Sequence, residues 1–119
     1  MTGKAALALA LLAMSFLGTE AIAHSKLSRS DPGNGSVVSV APATLTLSFV
    51  EDIRLTRVSM TPGEGDAVDL DLSNVATFGR EFDFDLPLDM TAGQHQVDWR
   101  GIGVDGHLMQ GSFGFTVEQ

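Results

Sequence analysis

Along most of this chain, apolar and polar residues alternate with a period of two, and glycine, proline and aspartate break the pattern at intervals. Leu45, Leu47 and Phe49 alternate with Thr44, Thr46 and Ser48. Val58 and Met60 alternate with Arg57 and Ser59, and Pro62-Gly63-Glu64-Gly65-Asp66 then turns the chain into Val68, Leu70 and Leu72, set against Asp69 and Asp71. Phe82 and Phe84 oppose Glu81, Asp83 and Asp85; Val97 and Trp99 oppose Gln96, Asp98 and Arg100; Phe113, Phe115 and Val117 oppose Ser112, Gly114 and Thr116. Side chains on an extended chain point alternately to opposite faces, so each run reads as a half-buried strand. With a short first strand around Leu27 and a turn cluster at Asp31-Pro32-Gly33-Asn34-Gly35, about seven antiparallel strands are predicted. No helical period competes with them, which points to an all-β, immunoglobulin-like fold, a seven-stranded sandwich or Greek-key barrel.

The first residues follow a different rule. Ala5 to Leu17 is an almost unbroken apolar run behind Lys4, leading into Ala21-Ile22-Ala23, the small-x-small pattern of a signal-peptidase site. The run is too short, and too closely followed by that pattern, to read as a retained membrane span. The expected organisation is a signal peptide over residues 1–23, cleaved after Ala23, and one domain over residues 24–119. That domain has 96 residues and no cysteine, so an exported protein of this kind relies on apolar packing, with help from any ion it binds. It also has no thiolate for a metal and no lipoprotein anchor. The formal charge is −8 with or without the leader, which argues against nucleic acid or anionic membranes as partners and favours cationic ones.

Cleavage after Ala23 changes the chemistry of one residue. His24 would become the N-terminus and could offer a metal both its α-amine and its imidazole, a chelate that no internal histidine forms. Downstream, Asp105-Gly106-His107 offers a carboxylate and a second imidazole two residues apart, on one face if the segment is extended. Such a mixed nitrogen and oxygen set suits Cu(II), which favours a tetragonal field. Each motif alone has a plainer meaning: His24 as the residue that follows the leader, Asp-Gly as a turn. His95 falls on the inward alternation with Val97 and Trp99 and reads as a packed, hydrogen-bonded strand histidine, and Trp99 reads as core. Asp83, Asp85 and Asp89 read as a solvated face, since no calcium-loop spacing accompanies them.

Several segments together resemble the CopC family of periplasmic copper-resistance proteins, from His24 to Val117. They are His24-Ser25-Lys26-Leu27, the Asp31-Pro32-x-x-Gly35 turn, Leu47-Ser48-Phe49-Val50-Glu51, and Gly93 to Val117 with Val97-Asp98-Trp99-Arg100, Asp105-Gly106-His107 and Gly111-Ser112-Phe113-Gly114-Phe115. The resemblance implies a seven-stranded Greek-key β-barrel in the periplasm, a Cu(II) site built from His24, Asp105 and His107, and Glu51 at the place of a nearby family carboxylate, either touching the ion or orienting one of its ligands. It also implies a monomer without enzymatic activity that exchanges copper with an inner-membrane transporter of the CopD type. One feature departs from some family members, which carry a methionine-rich loop for Cu(I): Met60, Met90 and Met109 are scattered here, and Met109, two residues past His107, reads as core.

Three function classes stand at this point. A copper carrier or buffer accounts for both ends of the chain. An oxidative enzyme is the second, because a histidine brace at a mature N-terminus also resembles lytic polysaccharide monooxygenases; the small size, the lack of tyrosine and a carboxylate aimed at the metal weigh against it. A metal-free immunoglobulin-like interaction domain is the third, and it leaves His24 and Asp105-Gly106-His107 unexplained.

Overall fold

The computed structural model describes residues 27–87 and 89–118. The leader, its cleavage point and His24 lie outside the described residues. The chain forms β1 (Leu27–Asp31), β2 (Val37–Val38), β3 (Thr44–Pro62), β4 (Val68–Asp69), β5 (Gly79–Asp85), β6 (Gly93–Gly103) and β7 (Leu108–Val117), with one 3-10 turn at Ser73–Val75. All belong to one curled sheet with the path β1-β3-β6-β7-β2, and β4 and β5 are added along β3.

The long β3 organises the rest. Thr46 is paired with Asp31 of β1 and Asp83 of β5, Ile53 with Gly79 of β5 and Gly103 of β6, and Met60 with Val68 of β4 and Val97 of β6. A strand has two edges, so β1 and β6 share one edge of β3 while β5 and β4 share the other. Register shifts interrupt the pairing of β3 between Ser48 and Ile53 against β5 and between Leu55 and Arg57 against β6.

Alternation buries one side of each strand. Leu45, Leu47, Phe49, Ile53 and Leu55 are buried from the first part of β3; after the shift at Arg57 the phase changes and Val58 and Met60 are buried instead. Phe49 lies edge-on to Trp99 at 4.9 Å and to Phe82 at 6.0 Å, which ties β3, β6 and β5 together across the core. Phe84, Val97, Phe113, Phe115 and Val117 are buried as their alternation requires.

The strand inventory departs from the sequence pattern in three places. The runs at Thr44–Phe49 and Arg57–Met60 are one continuous strand, because Ile53 and Leu55 carry burial through the segment between them. Val37–Val38 adds a short strand parallel to the end of β7. The Val68-Leu70-Leu72 run pairs over only two residues: Val68 is exposed, Leu70 is buried, and the 3-10 turn follows.

Candidate metal centre

Asp105 and His107 sit at the tip of the hairpin joining β6 to β7. The backbone N–H of Gly103 donates to His107 O at 2.9 Å and that of Gly106 to Gly103 O at 2.9 Å, closing a loop over Val104-Asp105-Gly106. Gly106 has φ +86°, the left-handed region that ends three-residue hairpin loops of this kind. The segment is thus a turn, not the extended piece that would bring the two side chains to one face. They meet because the aspartate folds back on the histidine: Asp105 Oδ2 accepts from His107 Nδ1 at 2.8 Å and Oδ1 accepts from the His107 backbone N–H at 3.1 Å. The ring hydrogen bond, then the backbone one, holds the Asp105 carboxyl below the usual carboxylate range. An ionised carboxylate only accepts, so Nδ1 carries the proton and the Nε2 lone pair is left to a ligand. Both side chains are open to solvent, His107 at 79% and Asp105 at 62%.

Gly103 was not legible as a positioning residue, yet the hairpin depends on it. A Cβ there would stand 2.7 Å from Met109 Cε and 3.1 Å from Asp105 Oδ1. The missing side chain lets Met109 pack beneath the turn, where it is buried as expected. No residue pattern marks that position, because the crowding comes from groups on both sides of the turn.

Glu51 lies on β3 in phase with Phe49 and Ile53 but is exposed. Ile53, two residues on, is the partner of Gly103, so Glu51 and the hairpin belong to the same end of the barrel. Among the described residues, no three His, Asp or Glu side chains gather closely enough to hold one ion. Asp105 and His107 are brought together; Glu51 does not complete a triad with them. His24 lies outside the described residues.

β1 closes the picture of this end. Its first described residue, Leu27, is opposite Phe49, and β6 ends with Gly103 opposite Ile53, on the same edge of β3. Val50, Glu51 and Asp52 separate the two pairings, a rise of roughly 13 Å from Phe49 to Ile53. The N-terminal end of β1 is thereby aimed along that edge toward the Asp105–His107 hairpin.

His95 is elsewhere. It is 2% exposed near the start of β6, its Nε2 hydrogen-bonds Thr91 O at 2.7 Å, and its ring stacks on Phe115 at 5.6 Å. It is the packed strand histidine that the alternation predicts. Asp83, Asp85 and Asp89 are exposed, and Asp83 accepts a hydrogen bond from Thr46 Oγ1.

The curled all-β fold is shared with known proteins similar to this chain. The CopC domain model matches residues 27–118, and the chain belongs to the CopC family. Copper resistance protein C of Xanthomonas campestris pv. juglandis is 28% identical over 116 residues, covering 91% of this chain and 91% of that one. The copper transport protein CutJ of Bacillus subtilis is 24% identical over 110 residues; the match takes in 90% of this chain, which spans only 20% of CutJ. The crystal structure of CopC from Methylosinus trichosporium OB3b superposes with a TM-score of 0.65 at 25% identity, over 80% of this chain and 94% of that one. The matched family region begins at Leu27, three residues after His24.

Proposed function

We propose that this protein is a periplasmic Cu(II) carrier or buffer that holds the ion between the N-terminus of the processed chain and the β6–β7 hairpin. His24 supplies its amine and imidazole nitrogens, His107 supplies Nε2, and Asp105 supplies negative charge, as a fourth ligand or by orienting the His107 ring. Glu51 steadies the amine or an imidazole from the neighbouring strand. The names of the relatives, copper resistance protein C and copper transport protein CutJ, support copper as the metal.

The observation that carries this reading is the edge of β3. The described chain enters at Leu27, aimed toward Gly103, and a three-residue reach of at most about 10 Å connects Leu27 to His24. Two described ligands alone are too few for a tight site, and an N-terminal histidine adds two more nitrogens from one residue. The ion is exchanged with an inner-membrane copper transporter of the CopD type, and the carrier acts as a monomer.

Processing and ligation are tested together by competition titration with Cu(II). Protein beginning at His24 is compared with protein that retains Ala23, in which an amide replaces the chelating amine. Affinity falls by orders of magnitude in the second form while circular dichroism stays unchanged. Equal affinities would remove the N-terminal chelate from the mechanism.

A further inference from the structure

Beside the hairpin, the outer face of the sheet gathers arginines and exposed apolar side chains in a chain of net charge −8. Arg54, Ile102 and Leu108 are direct cross-strand neighbours on β3, β6 and β7, so their side chains share one face. The Arg54 guanidinium lies 5.9 Å from the centre of the Phe78 ring. Phe78, Val104 and Leu108 are exposed at 46%, 69% and 76%. The next row sets Arg57 directly opposite Arg100, with Gln110 beyond.

Like charges facing each other across strands are unfavourable. Asp69 answers Arg57 at 3.0 Å, but among the described residues neither Arg54 nor Arg100 has a carboxylate within ion-pair distance. In a chain of net charge −8, two unanswered arginines around exposed aliphatic and aromatic side chains mark a surface whose complement is elsewhere. Arginine and aromatic residues at the centre of a patch are also the composition of protein interfaces.

We propose that Arg54, Phe78, Arg100, Ile102 and Leu108 form a docking face for a protein partner that presents carboxylates around an apolar side chain. The aliphatic pair Ile102 and Leu108 receives the apolar group, and the two guanidiniums receive the carboxylates, bidentately where geometry allows. Leu108 follows His107 directly, so a partner seated here reaches the hairpin without displacing the barrel. The inference rests on the reading above only for its purpose, which is to bring an acceptor to the ion; the face itself can be tested without metal.

The test uses the protein purified from the periplasm of expressing cells, its N-terminus read by mass spectrometry and its backbone amides followed by NMR. The probe is a ten-residue peptide alternating leucine with aspartate and glutamate; the same peptide with lysine in place of the acids is the control. The acidic peptide shifts amides of residues 54, 78, 100, 102 and 108, the lysine peptide does not, and added salt weakens the effect. Arg54→Gln with Arg100→Gln, and separately Leu108→Ser, each weaken binding about tenfold, more than most interface truncations do. No shifts at these positions, or shifts centred elsewhere, would overturn the proposal. So would binding to phosphatidylglycerol vesicles in preference to the peptide, or concentration-dependent self-association lost in Arg54→Gln, which would assign the face to a membrane or to a second copy. Cu(II) titration of the same variants separates the two readings. If the peptide docks on a protein that does not bind Cu(II), the carrier reading fails and the face stands; if Cu(II) binds and the peptide does not, the reverse holds.

Discussion

Asp105 grips His107 twice, through the ring at 2.8 Å and through the backbone N–H at 3.1 Å, so one side chain fixes both the tautomer and the position of the other. The carboxylate thereby leaves the Nε2 lone pair free to meet a ligand. A residue in that position acts even if it never touches the metal, as carboxylates behind ligating histidines do.

Removing the two groups therefore has different expected consequences. With His107 as the proposed nitrogen donor, His107→Ala abolishes the high-affinity Cu(II) spectrum. Asp105→Asn keeps a hydrogen-bond acceptor but loses the charge, and weakens Cu(II) binding about 10- to 100-fold without abolishing it. Competition titration against a chelator of known affinity measures both. Identical losses in the two variants would show that the carboxylate and the imidazole do not have these separate roles.

His95 is the internal control. It is the other described histidine, but its buried ring is held by Thr91 O and Phe115, and eight residues of β6, roughly 26 Å, separate it from Gly103. His95→Ala leaves the nitrogen couplings of the copper electron paramagnetic resonance signal unchanged. It costs about 2–4 kcal/mol of stability by opening a cavity and losing a buried hydrogen bond, read by urea denaturation. A changed coupling pattern would place a third imidazole at the metal.

Period-two alternation was enough to find most of the core, because burial on one face is a local constraint that each strand repeats. Phe49, Phe82, Trp99 and Phe113 are buried where their parity puts them. What alternation could not express is change of phase. Thr56, left out of the pairing between Leu55 and Arg57, shifts the register of β3, so Leu55 and Val58 are both buried although their parities differ, and a single strand reads as two. The Val68-Leu70-Leu72 run failed for the opposite reason: its pattern is right for a strand, but pairing with β3 ends at Asp69, and Leu72 and Val75 turn around each other in the 3-10 segment. At the hairpin the residue types were legible and the geometry was not, because Asp105 reaches His107 through a turn whose shape depends on Gly106 and on the space left at Gly103.

Protons set the working range of the site. In the proposed site copper competes with protons for the α-amine of the processed chain and for imidazole nitrogens, groups whose model compounds titrate near about 8 and about 6.5. The Asp105 carboxyl, held below its usual range by His107, stays ionised throughout that interval. Its folded-state depression favours the native hairpin above the ordinary carboxylate range and is lost only as pH falls through the lowered value. Affinity for Cu(II) therefore falls steadily from pH 8 to pH 5 through the nitrogens alone. A titration series at constant ionic strength shows this; an affinity constant over that range would mean that carboxylates hold the metal without nitrogen.

Reduction separates a carrier from an oxidase. Cu(I) loses the preference for a tetragonal nitrogen and oxygen field and favours sulfur. Among the described methionines, Met60, Met90 and Met109 are all buried, on different segments, and only Met109 packs near the hairpin, beneath Gly103. The reduced ion thus finds no exposed thioether cluster among the described residues. A carrier tolerates weak retention of Cu(I), whereas an oxygen-using enzyme must keep copper through both oxidation states and leave oxygen a place to bind. Ascorbate is expected to let a Cu(I) chelator strip the protein within minutes, with no peroxide production above that of free copper and no oxidised sugars from chitin or cellulose. Retention of Cu(I) together with catalytic oxidation of either polysaccharide would instead make the hairpin part of a monooxygenase centre.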